Sequence, residues 1–418
     1  MVSSKIALEL LCARLACISL HSPCVSLGSL PGWGAQDLSL TRPGSLTLFH
    51  PFSYEDEGYF TPLPFRASGY SKVGYDSNVF LQHTGAIGSV YNEFGLSAGT
   101  NIGNERTQLA GDLLAGVVAY WQRPGRKIDP DLNLDLSLNH QFNERTVFNL
   151  VSSLSYVAQP NIAAGVGAPN VVGNYVYAAN KISLGFQWTP RIATFTSYSL
   201  DLLHYDSRSL GLFQDNFDYL IGEELRYLLR PAIVAVCEYR FGAVQYLYDT
   251  LADSYSHYFL GGSDVMLGHR LKFGFRAGAQ LRYMKGPFHQ EVSYPYAEST
   301  LTYLYGPEST IDWYNRYGLE PPDQGQSTYR QTYRTGLKIS HRLGGKTRAV
   351  AAAYYSHNEY LGAAPFSENL VETDLELTYE ITRRLQVSAV YNFTRDSSAQ
   401  VSHDYVRNRI YCGFSYGF

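Results

Sequence analysis

Charge is scarce in this sequence. Asp, Glu, Lys and Arg make up 17% of the 418 residues, against the ~25% of an ordinary soluble domain. The signs are nearly balanced, 33 basic against 37 acidic, for a formal charge of −4. No basic footprint for nucleic acid is present, and no nucleic-acid partner is expected. Long apolar runs are also missing: after the N-terminus no stretch is long and clean enough to make a membrane helix. Cysteine is rare, at positions 12, 17, 24, 237 and 412 only. There is no C-x-x-C and no Cys/His cluster of zinc spacing. Cys237 and Cys412 each fall on the apolar side of an alternating run and read as small buried hydrophobes rather than a disulfide.

Catalytic signatures are absent as well. No G-x-S-x-G elbow occurs. His140, His204, His257, His269, His341, His357 and His403 form no spaced pair on one face. With no assignable nucleophile, neither an enzyme nor a cofactor is expected. Asp129, Asp131 and Asp135 crowd near a loop, but without a Gly-turn-Glu arrangement they fall short of a calcium site. The Gly-rich stretch 163–174 is followed by no helix to cradle a phosphate, and reads as a flexible outer loop.

What the chain does have is aromatic residues (14%, with 35 Tyr), 37 Gly and strict alternation. "DLNLDLSLNHQF" sets Leu132, Leu134, Leu136, Leu138 and Phe142 against Asp131, Asn133, Asp135, Ser137 and Asn139. "LKFGFRAGAQLRY" (271–283) and "VETDLELTYEI" (371–381) repeat the pattern. Period-two alternation of this length means strands with one dry and one wet face.

The runs are punctuated at regular intervals. "NERT" occurs at 104–107 and 143–146, followed by "TPR", "LRP", "GHR", "GPE", "GGK" and "TRR". Taking Asn104, Asn143, Pro190, Arg230, His269, Pro307, Gly345 and Arg383 as markers, the steps are 39, 47, 40, 39, 38, 38 and 38 residues. Nine such units tile residues 65–418, each with two runs, a longer loop between them and a tight turn after them. A propeller blade would need four short strands per unit. A soluble sandwich would need shorter ones. A bilayer accepts strands of ~9–11 tilted residues or more, provided closure leaves no free edge. The expected fold is therefore all-β, a transmembrane antiparallel up-and-down β-barrel of about 18 strands, with 16 as the fallback if 294–320 is a loop. Both ends then fall on the periplasmic side.

At 16–18 strands side chains no longer fill the interior, and an aqueous channel is expected. Lys272, Arg276 and Arg282 make one basic strand, and Arg330, Arg334, Lys338 and Arg342 another. Glu372, Asp374, Glu376 and Glu380 make an acidic strand, with Asp131 and Asp135 on one further round. These are the candidate pore-lining residues. Either they set a transverse field that filters ions, or neighbouring strands pair and cancel them. Tyr120, Trp121, Trp188, Trp313 and Tyr317 near strand ends suit interfacial girdles. The loop 158–174 is the longest and the candidate to fold inward as a constriction.

Residues 1–34 read as a signal peptide: Lys5 opens it, Ile6 to Leu20 are mostly apolar, and small residues near Gly34 allow cleavage. Glu9 and Arg14 interrupt the apolar stretch, and a disordered tail is the alternative. Residues 35–64 would then form a periplasmic segment before the barrel at 65–418.

Four stretches carry a resemblance to a family: "GYDSNVF" at 74–80, "YAESTLTYLYGPESTIDWYNRYGLE" at 296–320, "YRTGLKISHRL" at 333–343 and the closing "RIYCGFSYGF". They resemble the outer-membrane β-barrel porins of Gram-negative bacteria, over roughly residues 60–418. The resemblance implies the cell outer membrane as location, outer-membrane lipid as surroundings, and small hydrophilic solutes as cargo. Phe418, with Tyr416, Phe414, Cys412 and Ile410 on one face, is similar to the signal that the barrel-assembly machinery reads, Cys412 being a weaker hydrophobe than usual there. The expected function is passive diffusion of solutes. The alternative is a structural or adhesive surface barrel whose lumen is blocked and whose outer loops bind a partner.

Overall fold

The computed structural model describes residues 65–418 apart from 105, 161–170, 249–252, 269, 286–289, 322–326, 363–364 and 400–403. The leader at 1–34 and the segment 35–64 lie outside the described residues. Eighteen strands follow one another: β1 Phe65–Asp76, β2 Ser89–Gly103, β3 Thr107–Tyr120, β4 Ile128–Asn143, β5 Thr146–Val157, β6 Tyr175–Thr189, β7 Ile192–Tyr205, β8 Asn216–Arg230 and β9 Ile233–Tyr246. The second half comprises β10 Ser254–Leu267, β11 Leu271–Met284, β12 Glu291–Gly306, β13 Ser309–Glu320, β14 Ser327–Gly344, β15 Thr347–Gly362, β16 Phe366–Glu380, β17 Leu385–Ser398 and β18 Tyr405–Gly417. One short helix, α1 Arg208–Gln214, sits in the loop between β7 and β8.

Each strand pairs antiparallel with its sequence neighbours, and β18 returns to β1 over the register Ser68↔Gly417 to Asp76↔Arg409. The sheet is thereby closed, with no edge strand. Residues 294–320 form the hairpin β12–β13, so the count is 18 and the 16-strand fallback is discarded. The short turns lie at one end with the outset of β1 and the end of β18. The longer loops lie at the other.

The turn repeats have a chemical cause. Asn104 Oδ1 accepts from the backbone N–H of Arg106 and of Thr107, both at 2.9 Å. Asn143 Oδ1 accepts from Arg145 N–H at 2.8 Å. Thr189 and Thr382 do the same with their hydroxyls, each toward the residues two and three further on. Side-chain caps of this kind close a tight turn without a long loop, which is why "NERT", "TPR" and "TRR" recur where strands reverse.

The pleat then sorts the side chains. On β18 Ile410, Phe414, Tyr416 and Phe418 are 43–71% exposed, while Arg407, Arg409, Tyr411 and Ser415 between them are buried. The same alternation on every strand gives an apolar outer belt and a polar inner wall. Cys237 and Cys412 are on the apolar face as read from the alternation, yet they are exposed free thiols rather than buried ones. The reason is topological: in this barrel the apolar face is the outside.

Candidate functional site

All thirteen charged residues singled out as pore lining lie on the inward register: Lys272, Arg276 and Arg282 on β11, Arg330, Arg334, Lys338 and Arg342 on β14, Glu372, Asp374, Glu376 and Glu380 on β16, and Asp131 and Asp135 on β4. The contrast with their neighbours is sharp. Glu372, Asp374 and Glu376 are at most 8% exposed, whereas Leu375 and Leu377 are 53% and 49%.

The basic strands are threaded with acids. Arg276 lies 2.8 Å from Asp264 on β10, 3.5 Å from Glu238 on β9 and 3.7 Å from Glu224 on β8. Arg330 and Arg334 share Glu320 on β13, at 3.1 and 2.9 Å. Arg240 on β9 holds Glu238 at 2.5 Å and Glu298 on β12 at 2.6 Å. Buried charges persist only when paired, and here the pairing runs from within one strand, as for Arg240 and Glu238, to across three. The acidic strand is different. Among the described residues no cation comes within ion-pair distance of Glu372, Asp374 or Glu376. Asn392 donates to Asp374 Oδ1 and Thr378 to Glu376 Oε1, each at 2.6 Å.

The long-loop end of the lumen is narrowed by two inward-turning segments. After β1 the chain tucks Val79, fully buried, against Tyr91, Val118, Tyr120, Val390 and Tyr411, with Phe80 and Ile87 packed alongside. Backbone bonds from Ser77 N–H to Asn408 O at 2.9 Å and from Val79 N–H to Ile87 O at 3.0 Å hold the tuck. Arg123 stacks over Phe80 and Tyr120 and pairs with Asp129. After β5, Gln159 reaches inward. Its Nε2 donates to Tyr120 Oη at 3.1 Å, and its Oε1 accepts from Arg407 Nη2 at 2.5 Å. The first residues of the loop 158–174 therefore face the lumen, while most of the rest of it lies outside the described residues. Tyr120 belongs to this inner cluster and not to an outer girdle, because position 120 falls on the inward register of β3. Trp121 and Trp188 are exposed on the outside.

Two groups of lumen residues were not singled out from the sequence. Asp76, Arg407 and Arg409 meet at the β1–β18 seam, and Lys72 pairs with Glu93 at 2.5 Å beside them. Extending the alternation of the closing strand backward from Ile410 places both arginines on the wet face, so the pattern did contain them. The buried tyrosines at 91, 120, 175, 177, 205, 296 and 360 were not separable by composition from the aromatics outside.

A closed wall with a dry exterior and a charged interior defines an outer-membrane β-barrel, since only closure satisfies strand edges in lipid. Residues 65–417 match the model of the family described as Putative beta-barrel porin 2. The chain belongs to that family, and it is a porin-type barrel of the Gram-negative outer membrane. No curated protein matches it in sequence. Among solved structures it is similar to OccAB4 of Acinetobacter baumannii, at 11% identity over 85% of this chain and 99% of that one, with a TM-score of 0.43. It is also similar to OpdK of Pseudomonas aeruginosa, solved with vanillate, at 10% identity over 85% and 99%, with a TM-score of 0.45. For OpdL of the same organism the values are 12%, 85%, 99% and 0.43.

Proposed function

We propose that the barrel carries small hydrophilic solutes passively across the outer membrane. The observation behind this reading is a polar, charged inner face on a closed wall of 18 strands, a circumference that side chains do not fill. The residues on β11, β14 and β16 line the path. Paired arginines there offer local hydrogen-bond donors, and the acids of β16 supply a negative wall that attracts cations. The tucked segments around Val79 and Gln159 set the size limit at the outer mouth. The exposed apolar belt meets lipid. The face made by Ile410, Cys412, Phe414, Tyr416 and Phe418 is read by the barrel-assembly machinery after export through a leader at 1–34.

Liposome swelling tests the reading. Sugars of graded size entering barrel-containing vesicles, small ones fastest, support it, and impermeability to all of them sinks it. The inward turn of Val79 and Gln159 is the observation that favours the second reading, an adhesive or structural barrel with a blocked lumen. Conductance that stays at zero in planar bilayers, with folded protein, would move the assignment there.

A further inference from the structure

Glu223 breaks the apolar outer belt. It is the central residue of β8 and lies exposed on the outward register, between Ile221 and Leu225, which are 47% and 48% exposed. Tyr219 and Tyr227 stand four residues to either side on the same face, as girdle aromatics do. Four residues make about 13 Å of strand, which is about 10 Å of depth at a tilt of ~40°. Glu223 therefore sits near the middle of the hydrocarbon. The other outward strand carboxylates among the described residues are at strand ends: Glu291 opens β12, and Glu359 comes three residues before the end of β15.

A carboxylate aimed at lipid tails is costly at that depth, and polar side chains there serve contacts between proteins. Thr196 on β7 and Tyr239 on β9 are paired directly with Glu223 in the sheet. Thr196 donates from Oγ1 to Glu223 Oε2 at 2.6 Å. Among the described residues nothing else bonds this carboxylate, and no cation pairs with it. The Tyr239 hydroxyl lies 2.8 Å from His257 Nδ1 on β10. With His257 donating, the hydroxyl hydrogen is left for a further acceptor.

An acceptor and a donor thus stand side by side on adjacent strands, within about 3 Å of each other in depth. All copies of the chain enter the membrane in one orientation, so two copies meet about an axis along the bilayer normal, with equal depths facing. An axis between β8 and β9 sets Tyr239 of each copy opposite Glu223 of the other. We propose that the outward face of β7–β9 is a twofold interface with a second copy of this chain. Two Tyr239–Glu223 hydrogen bonds hold it, and Ile221 and Leu225 pack around them. The interface is on the lipid side of the wall and stands whether or not the lumen conducts.

Cys237 supplies the probe. It is an exposed free thiol on the same face, two residues from Tyr239 and paired with Leu225. Facing sheets pack about 10 Å apart, which brings the two Cys237 thiols within reach of a short bismaleimide. Cys412, the other exposed thiol, is on β18, halfway round the wall. In outer membranes of cells making the full chain, the Cys412→Ser protein is expected to cross-link to a dimer, and the Cys237→Ser protein is not. Added to Cys412→Ser, Glu223→Leu removes both bonds and is expected to weaken association about tenfold, read as cross-linked dimer against dilution in lipid vesicles. Tyr239→Phe, which keeps the ring, is expected to weaken it severalfold. No dimer through Cys237, a Cys237 adduct with some other protein, or equal cross-linking through Cys412 overturns the proposal. So does undiminished association in Glu223→Leu protein that keeps its heat-modifiable gel mobility or, should that variant not fold, in Tyr239→Phe.

Discussion

Replacing Asp76 with Ala should loosen the barrel at its closing seam. Asp76 is 0% exposed and Arg407 5%. Arg407 donates from Nε to Oδ1 at 3.1 Å and from Nη2 to Oδ2 at 2.5 Å, and Arg409 Nε stands 3.5 Å away. Asn78 N–H adds a bond to Oδ1 at 3.0 Å, tying the tucked loop to the same carboxylate. Removing one member of a buried pair strands the other charge, at about 3–5 kcal/mol. Gln159, which already accepts from Arg407, can offset roughly 1 kcal/mol of that. The expected loss is therefore about 2–4 kcal/mol. Urea unfolding in lipid vesicles, followed by tryptophan fluorescence with heat-modifiable mobility as the measure of folded fraction, reads it directly. The double change Asp76→Asn, Arg407→Gln removes both charges together and should recover much of the loss. A single-variant loss below about 0.5 kcal/mol, or a double variant no better than the single, would refute the reasoning that the seam is held by a desolvated ion pair.

Three further outcomes are expected. Phe418→Asp, which places a charge on the outward face beside Tyr416 (ring centroids 5.9 Å apart), should lower outer-membrane levels in cells, and unchanged assembly by fractionation and gel mobility would count against an assembly role for that face. Gly278→Ala should destabilise the β10–β11 pair by about 1–3 kcal/mol, because a Cβ there would stand 1.8 Å from the backbone oxygen of Phe259; an unshifted unfolding midpoint would show that the pairing can slide. Glu320→Gln releases Arg330 and Arg334 from their shared acid and should move the reversal potential in asymmetric salt toward anions, while neutralising Arg330, Arg334 and Lys338 together should move it toward cations. If neither variant shifts it, ions do not pass along that wall.

The reach of the sequence is clearest at β12 and β13. Alternation alone left residues 294–320 open between a loop and a hairpin, because Pro295 and the crowded aromatics blur the period. The pairing Leu301↔Trp313 resolves them as two strands. β15 continues to Gly362 and β17 to Ser398, since strands continue past the apolar belt and need no dry face there. Cys237, Cys412 and Tyr120 show the complementary error. Their faces were legible, but whether a face is inside or outside is a property of the closed sheet.

By itself the sequence determined the two faces, the closing seam and a strand count of either 18 or 16. These depend on local rules: a side-chain period of two, Asn and Thr side chains that cap tight turns, and the cost of an unpaired edge in lipid. Only the tertiary structure decided which charges meet. Arg240 and Glu298 are 58 residues apart and Arg407 and Asp76 are 331 apart, and their contact follows from the stagger between strands and the curvature of the wall.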